Sequence, residues 1–290
     1  MRRLILITLA AGLLLAGCRA PKKQAYKQPQ PPVPQALPNA QPGSGVAPAE
    51  LAWKDFFGDD KLRQVVGLAL ANNRDLRLAA LNVEKVQAQF RLQRAAQFPT
   101  VNAAANASAY RVPGDATSNN QGYTYENLQA GLLVSSWELD LFGRVRSLKE
   151  AALEQYLATQ QGRASTQMAL ISSVAGSYLA LAADRDSLEL AKATLEARKS
   201  SLDLISRSRD YGMRTDLDVS QARSLVQAAE VDVVRYTAQV TLDENALNLL
   251  AGVQVPPELL PAKLASIDSL KDVSAGLSSD VLLRRPDILQ

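Results

Sequence analysis

The chain has 290 residues and a net charge of only +3, with its basic residues spread along the sequence, so nothing indicates a nucleic-acid-binding surface. It contains no histidine and a single cysteine, which excludes the usual zinc sites, the Ser-His and Cys-His nucleophile pairs and any intrachain disulfide. Carboxylate pairs remain open as catalytic groups, but none lies in a site-like context. We therefore expect no enzyme, no metal and no cofactor.

Residues 1–17 are predicted to be a signal peptide. Arg2 and Arg3 precede an apolar stretch that is too short to remain as a transmembrane helix. The following Leu15-Ala16-Gly17-Cys18 matches the bacterial lipoprotein pattern, in which the thiol receives a diacylglyceryl group and becomes the new N-terminus. An ordinary signal peptide with an incidental cysteine also fits, but Cys18 is the only cysteine. We therefore predict lipidation at Cys18 and anchoring in membrane lipid.

Residues 18–50 are predicted to be an extended tether. Eight of the fourteen prolines lie here, among Gln, Ala and Lys and with almost no large apolar residues. From about Leu51 the composition changes to dense Ala, Leu and Val with alternating charge, which predicts a folded region over 51–255. Its first helix is predicted over 59–97, because Asp59 or Asp60 can cap its start and Pro99 follows its end.

Two extended segments are predicted after this helix. Residues 99–111 and 123–137 alternate apolar and polar side chains with a period of two, and a Gly-, Asp- and Asn-rich loop joins them. Strands of this length suit a transmembrane β-hairpin, since ~9 to 11 tilted residues cross a bilayer. A soluble hairpin lying on a helical domain fits the same periodicity nearly as well, so both interpretations stay open.

The rest of the folded region is predicted to be an antiparallel helical hairpin, with helices over 147–210 and 215–251. The first helix is far longer than globular helices and therefore needs a partner helix to pack against. Apolar residues recur every seven positions along it: Val174, Leu181, Leu188, Leu195 and Leu202. The second helix carries an apolar seam whose only polar member is Asp243. The sequence does not decide whether Asp243 pairs with a cation or faces a bore.

Six short stretches in this order resemble the TolC-type outer-membrane efflux protein family, in particular its lipoprotein branch. They are Trp53-Lys54-Asp55-Phe56-Phe57, Ala69 to Leu76, Trp137 to Arg144, Tyr211 to Val219, Asp243 to Leu247, and Leu282 to Ile288. Each motif alone is weak, but the ordered set together with the lipoprotein pattern is strong.

The resemblance implies a mainly α fold with one β-hairpin, in which long antiparallel coiled-coil helices form an α-barrel and two strands contribute to a transmembrane β-barrel. It implies a homotrimer in the outer membrane, extending into the periplasm, that serves as the export conduit of a tripartite efflux pump. It also implies that the helical hairpin tip docks a periplasmic adaptor, which links it to an inner-membrane pump. Gly212, Met213 and Thr215 occupy the matching tip positions.

The family has two similar repeats per chain, whereas this sequence carries the first repeat over 51–255 and then an inter-repeat linker over 256–290. We expect a fragment, a truncated product or an assembly of twice as many chains. The main alternative function is a periplasmic coiled-coil adaptor lipoprotein, which would have a small soluble β-domain with more and shorter strands. A lipid-anchored cell-wall hydrolase is a third class, but we find no site for it. The transported substrate and any gate residues cannot be read from the sequence.

Overall fold

The described part of the chain forms two units in a computed structural model. The described residues are 52–116, 118, 120–134, 137–268, 270 and 279–290. The predicted signal peptide, Cys18 and the tether lie outside these residues. One unit contains residues 87–155, and the other contains residues 52–86 and 156–290.

Six helices and two strands make up most of the described chain. In chain order they are α1 (Trp53–Phe56), α2 (Asp60–Asn72), α3 (Arg74–Ala95), β1 (Val101–Val112), β2 (Tyr123–Val134), α4 (Arg144–Asp210), α5 (Asp216–Ala251) and α6 (Pro286–Leu289). Short 3-10 turns lie at Gly114–Ala116, Pro257–Leu259, Leu264–Ser266 and Ser279–Arg284. The 67 residues of α4 give it a length of about 100 Å.

The unit of residues 52–86 and 156–290 has a continuous apolar core. Its most completely buried side chains are Tyr178, Leu62, Leu181, Leu247, Val65, Val66 and Val174. Val174 and Leu181 are consecutive members of the heptad series in α4, and the later members Leu188, Leu195 and Leu202 are half-buried. Tyr178 lies between Val174 and Leu181, and its hydroxyl donates to the Leu259 carbonyl at 3.2 Å, so the segment after α5 is fixed to α4. Burial raises the pKa of Tyr178 to about 12.

The helix expected over 59–97 is two helices, and Asn73 separates them. Asp59 caps α2 by accepting from the Leu62 amide at 2.7 Å. Asn73 has extended backbone, ends α2 and accepts from the Leu76 amide at 2.9 Å, which caps the start of α3. Its side-chain amide also donates to the Leu250 carbonyl near the end of α5 at 2.9 Å. The single-helix expectation was wrong because the side chain of Asn73 offers the backbone a better partner than continued helix does.

The unit of residues 87–155 contains the two strands, which pair as an antiparallel hairpin. The register runs from Val101 opposite Val134 to Val112 opposite Tyr123. Compared with the expected range 99–111, β1 begins two residues later and ends one residue later. Compared with the expected range 123–137, β2 begins at the same residue and ends three residues earlier. Every strand side chain is exposed except Val112 and Asn127, which are half-buried.

Helix α4 begins at Arg144, three residues earlier than the expected range 147–210. Gly143 adopts a positive φ of 81°, and the Asp140 carboxylate accepts from the Arg146 amide at 3.0 Å, which satisfies a free amide of the first turn. Among the described residues, α4 alone contains a stretch long and apolar enough to cross a membrane; one third of that stretch is buried within the protein. A core helix has the same composition, and the buried heptad positions of α4 fit that explanation.

Candidate functional site

The turn between α4 and α5 is a tight and fully hydrogen-bonded helix end. Gly212 has a φ of +73°, and its amide donates to the Arg209 carbonyl at 2.9 Å. The next amide, that of Met213, donates to the Ser208 carbonyl at 2.9 Å. These two bonds form a Schellman motif, which requires the left-handed backbone that glycine adopts without strain. Gly212 is therefore required by the turn itself, whether or not a partner binds there.

The start of α5 closes the same turn through a reciprocal cap. The Thr215 hydroxyl accepts from the Asp218 amide at 3.3 Å, and the Asp218 carboxylate accepts from the Thr215 amide at 2.8 Å. This is a capping box. The hydrogen bond from the Thr215 amide is the main reason that the pKa of Asp218 is lowered. Arg209 pairs with both Asp210, at 3.0 Å, and Asp216, at 3.1 Å, so it links the ends of the two helices.

The turn displays large side chains that its own fold does not use. Tyr211 is 81% exposed and Met213 is 71% exposed, although both are apolar enough to be buried in most proteins. Leu217, in the first turn of α5, is also exposed. Exposed apolar side chains held on a well-bonded turn are suited to contact with another protein. Gly212, Met213 and Thr215 thus lie together in this turn, and their role in docking an adaptor stays a prediction.

The β-hairpin has one apolar face and one polar face. Residues directly opposite each other in an antiparallel pair share a face. The apolar face combines Val101, Ala103, Ala105 and Ala107 of β1 with Leu128, Ala130, Leu132 and Val134 of β2. The other face is lined mainly by Asn102, Asn106 and Ser108 with Gln129 and Asn127, and it also carries Leu133 opposite Asn102. The apolar residues predicted for each strand therefore lie on the same face of the hairpin.

The apolar face is not covered by the described protein. Leu128 and Leu132 are 79% and 80% exposed. From Leu128 to Val134 the apolar band is about 20 Å long, close to the ~25 Å band of a membrane barrel. Beyond Ala107 the same face turns polar, with Glu126 opposite Ala109. A soluble hairpin would bury such a face against a core, and no described residue does so here.

The ends of the hairpin nearer the helices are tied together. The Trp137 indole donates to the Gln97 carbonyl at 3.3 Å, joining the segment after β2 to the segment before β1. Glu138 forms a hydrogen-bonded ion pair with Arg144 at the start of α4. The hydrogen bond from Arg144 is the main reason that the pKa of Glu138 is lowered. These contacts hold the described part of the connector between β2 and α4, residues 137–143.

A pair of carboxyl groups lies between α4 and α5, one turn from the buried leucines Leu181 and Leu247. Asp184 forms a hydrogen bond with Asp243, and Gln239 donates to Asp243 at 2.9 Å. The pKa of Asp184 is raised, first by burial and then by this hydrogen bond and the charge of Asp243. The partner of Asp243 is thus another acid and not a cation. Sequence reasoning missed Asp184, although the antiparallel hairpin register places residues 184 and 243 opposite each other.

A profile described as outer membrane efflux protein matches residues 65–253. The chain belongs to the outer membrane efflux protein family.

Two relatives in this family show how much of a family member's length the chain covers. The chain is 41% identical to the toluene efflux pump outer membrane protein TtgC of Pseudomonas putida, over 99% of this chain and 60% of that protein. It is 37% identical to the outer membrane protein OprJ of Pseudomonas aeruginosa, over 97% of this chain and 59% of that protein. The chain therefore spans about three fifths of the length of these relatives.

Solved structures of the family share the fold. A membrane protein from Pseudomonas aeruginosa superimposes with a TM-score of 0.75 at 37% identity, over 92% of this chain and 60% of that one. The open-state outer membrane channel MtrE of Neisseria gonorrhoeae gives a TM-score of 0.72 at 32% identity, over 91% of this chain and 58% of that one. The resemblance to the efflux family and the predicted fold class, mainly α with one β-hairpin, are confirmed.

Proposed function

We propose that the chain is a subunit of an outer-membrane export conduit in a tripartite efflux pump. The observation that carries the proposal is the β-hairpin, whose exposed apolar face is about as long as a membrane band and whose opposite face is polar. A closed ring of such hairpins places the apolar faces against lipid and the polar faces around water. The antiparallel helices α4 and α5 are proposed to belong to a helical wall in the periplasm, as the resemblance to the family implies.

The proposed assembly is a homotrimer in the outer membrane, as in the family that the sequence resembles, or a ring of twice as many chains where each chain contributes one hairpin. Lipid on Cys18 would add an anchor beside the hairpin. The conduit is passive, so the protein is proposed to act as a channel and not as an enzyme. TtgC is named for toluene efflux, and a further Pseudomonas putida relative, ArpC, is named for antibiotic efflux. Small organic compounds are accordingly the proposed cargo of the pump.

The hairpin tip is the proposed docking site for the periplasmic adaptor, which connects the conduit to the inner-membrane pump. Gly212 and Thr215 shape the turn, and Met213 supplies an exposed apolar contact. An adaptor helix can bury this side chain while the polar links around Arg209 keep the turn in place.

The alternative, a periplasmic adaptor lipoprotein, needs a soluble β-domain with a buried face. The two described strands have no buried side chain, which favours the conduit. Conductance separates the two functions: the purified full chain should give discrete single-channel currents in planar bilayers and should migrate differently on gels when unheated. A chain that gives no conductance and remains water-soluble after removal of its acyl group would contradict the proposed function.

Docking at the tip can be tested with a photo-crosslinking residue placed at position 213 in cells. We expect adducts with a periplasmic coiled-coil adaptor, identified by mass spectrometry. Position 249 is the matched control, because Leu249 is 80% exposed near the opposite end of α5. Equal adaptor adducts from both positions would argue against a site at the tip. Lipidation is tested separately, since Cys18→Ser should remove the acyl mass from the mature protein.

A further inference from the structure

The polar face of the β-hairpin is interrupted by aromatic side chains near the loop. Tyr110 lies opposite Tyr125, and Tyr123 lies opposite Val112 at the last pair of the ladder. The rings of Tyr110 and Tyr125 contact each other with centroids 5.1 Å apart and an angle of 41° between their planes. All three tyrosines therefore belong to the face that also carries Asn106 and Ser108.

These tyrosines are on the wrong face to anchor the hairpin in lipid. Aromatic residues of a membrane belt lie on the lipid side, at the boundary between hydrocarbon and water. At the level of Tyr110 and Tyr125, the face that continues the apolar band carries Glu126, Arg111 and Thr124 instead. The alternation of a strand sends neighbouring side chains to opposite faces. The tyrosines consequently point away from lipid if the apolar band points toward it.

Their height along the hairpin places them at the mouth of the conduit. The apolar band ends at Ala107 and Leu128, and Tyr125 is three residues beyond Leu128, which is about 10 Å along the strand. The rings also retain open surface despite touching each other, because Tyr110 is 57% exposed and Tyr125 is 45% exposed. Both rings therefore have open surface that a solute could contact.

We propose that the Tyr110–Tyr125 pair of each copy contributes to an aromatic collar at the outer mouth, where planar aromatic solutes, and aromatic cations above all, make contact as they leave. The proposal rests on the proposed function, since it needs the hairpin to line a bore. Ring faces bind aromatic solutes by offset stacking and bind cations through the ring quadrupole. The neighbouring Asn127, Ser108 and Gln129 are neutral, so they neither repel nor trap a charged solute.

Block of the single-channel current measures this contact. The purified full chain is placed in planar bilayers, and phenyltrimethylammonium or the ring-free tetraethylammonium is added on the side of the β-hairpin loop. We expect the ring-bearing cation to reach half-block at a lower concentration than the ring-free one. In the double variant Tyr110→Leu with Tyr125→Leu, which keeps apolar cross-strand packing, this preference should fall roughly tenfold. The double variant with Phe at both positions keeps the ring faces and should keep the preference.

The matched control is Glu126→Gln, which lies at nearly the same height on the opposite face and should leave the preference unchanged. Conducting wild-type channels without a preference for the ring-bearing cation would overturn the collar and leave the conduit intact. A preference for the ring-bearing cation that survives in the double leucine variant would also overturn the collar and leave the conduit intact. Absence of conductance in the wild-type protein would instead overturn the proposed function, and the collar with it.

Discussion

The helical core and the β-hairpin are built on opposite principles. Around Leu181 and Leu247, both fully buried, apolar side chains of the chain cover one another, and the buried polar side chains of Asp59 and Asn73 have hydrogen-bond partners within the same unit. In the hairpin, Leu128 and Leu132 are as apolar but about 80% exposed. Burial of one such side chain contributes about 1.5 to 3 kcal/mol. The core therefore gains this free energy within the chain, whereas the hairpin can gain it only from lipid or from other copies.

The largest expected effect is a loss of stability in the helical core. Leu181→Asp places a charge without a partner in a fully buried position and should destabilise the fold by about 4 kcal/mol or more. Thermal denaturation followed by circular dichroism measures the loss. Leu190→Asp, on the same helix at a 69% exposed position, should leave helix content and melting close to wild type. Equal losses in both variants would show that the division between buried and exposed faces of α4 is wrong.

The next effect concerns the hairpin. Leu132→Arg should leave the melting of the helical unit unchanged, because Leu132 makes no core contact, but it should impair membrane insertion by about 2 to 4 kcal/mol per chain. Recovery of the protein in the outer-membrane fraction and insertion into liposomes measure the effect. Asn106→Arg, on the polar face, is the matched control and should insert normally. If both variants insert equally well, the apolar face does not meet lipid.

A smaller effect is expected at the hairpin tip. Gly212→Ala forces a side chain into left-handed backbone and should cost about 1 to 2 kcal/mol of local stability, although nothing lies near the added methyl group. Faster hydrogen exchange of the tip amides, including that of Met213, is the measurement. Gly176→Ala in the exposed interior of α4 also has open space and should stabilise its helix by up to ~1 kcal/mol. A protected tip in Gly212→Ala would contradict the strain argument.

The smallest effect is a pH dependence. Because the pKa of Asp184 is raised, the folded protein binds its proton more tightly than the unfolded chain does, and this stabilisation is lost as pH rises from 3.8 through the raised value. Asp184→Asn should therefore melt above wild type at pH 7, with the difference shrinking in acid. The pH dependence expected from Asp218 is the opposite. Because its pKa is lowered, its contribution to the stability of the fold is present at neutral pH and is lost as pH falls. Asp218→Asn should accordingly melt below wild type at pH 7.

Much of the fold could be predicted because its signals are local. The period of two in the strands gave the correct grouping of Leu128 and Leu132 on one face, and the structure adds that both strands present their apolar faces on the same side. Gly212 and Thr215 carry their own turn chemistry, so the position of the helical hairpin tip follows from residue type. Lipidation of Cys18 and docking at Met213 remain predictions.

The features that sequence reasoning missed depend on distant contacts. Asn73 breaks the first long helix partly because its amide reaches the Leu250 carbonyl, 177 positions away in the chain. A local signal was nevertheless present, since Asn followed two residues later by Asp75 is a typical helix start. Asp184 became visible only when α4 and α5 were placed side by side, because nothing in its own neighbourhood distinguishes it from other surface acids.

The junction of α2, α3 and α5 has a mechanical consequence for the tip. Gly252 ends α5 with a φ of +72°, and a side chain there would lie 2.5 Å from the Asn72 carbonyl oxygen, so the two helix ends meet backbone to backbone. Asn73 bonds across the same point. Helix α5 has 36 residues and is about 54 Å long, so its far end would move most if the helix tilted at this junction. A tilt of about 5° there would carry the far end of α5 through roughly 5 Å.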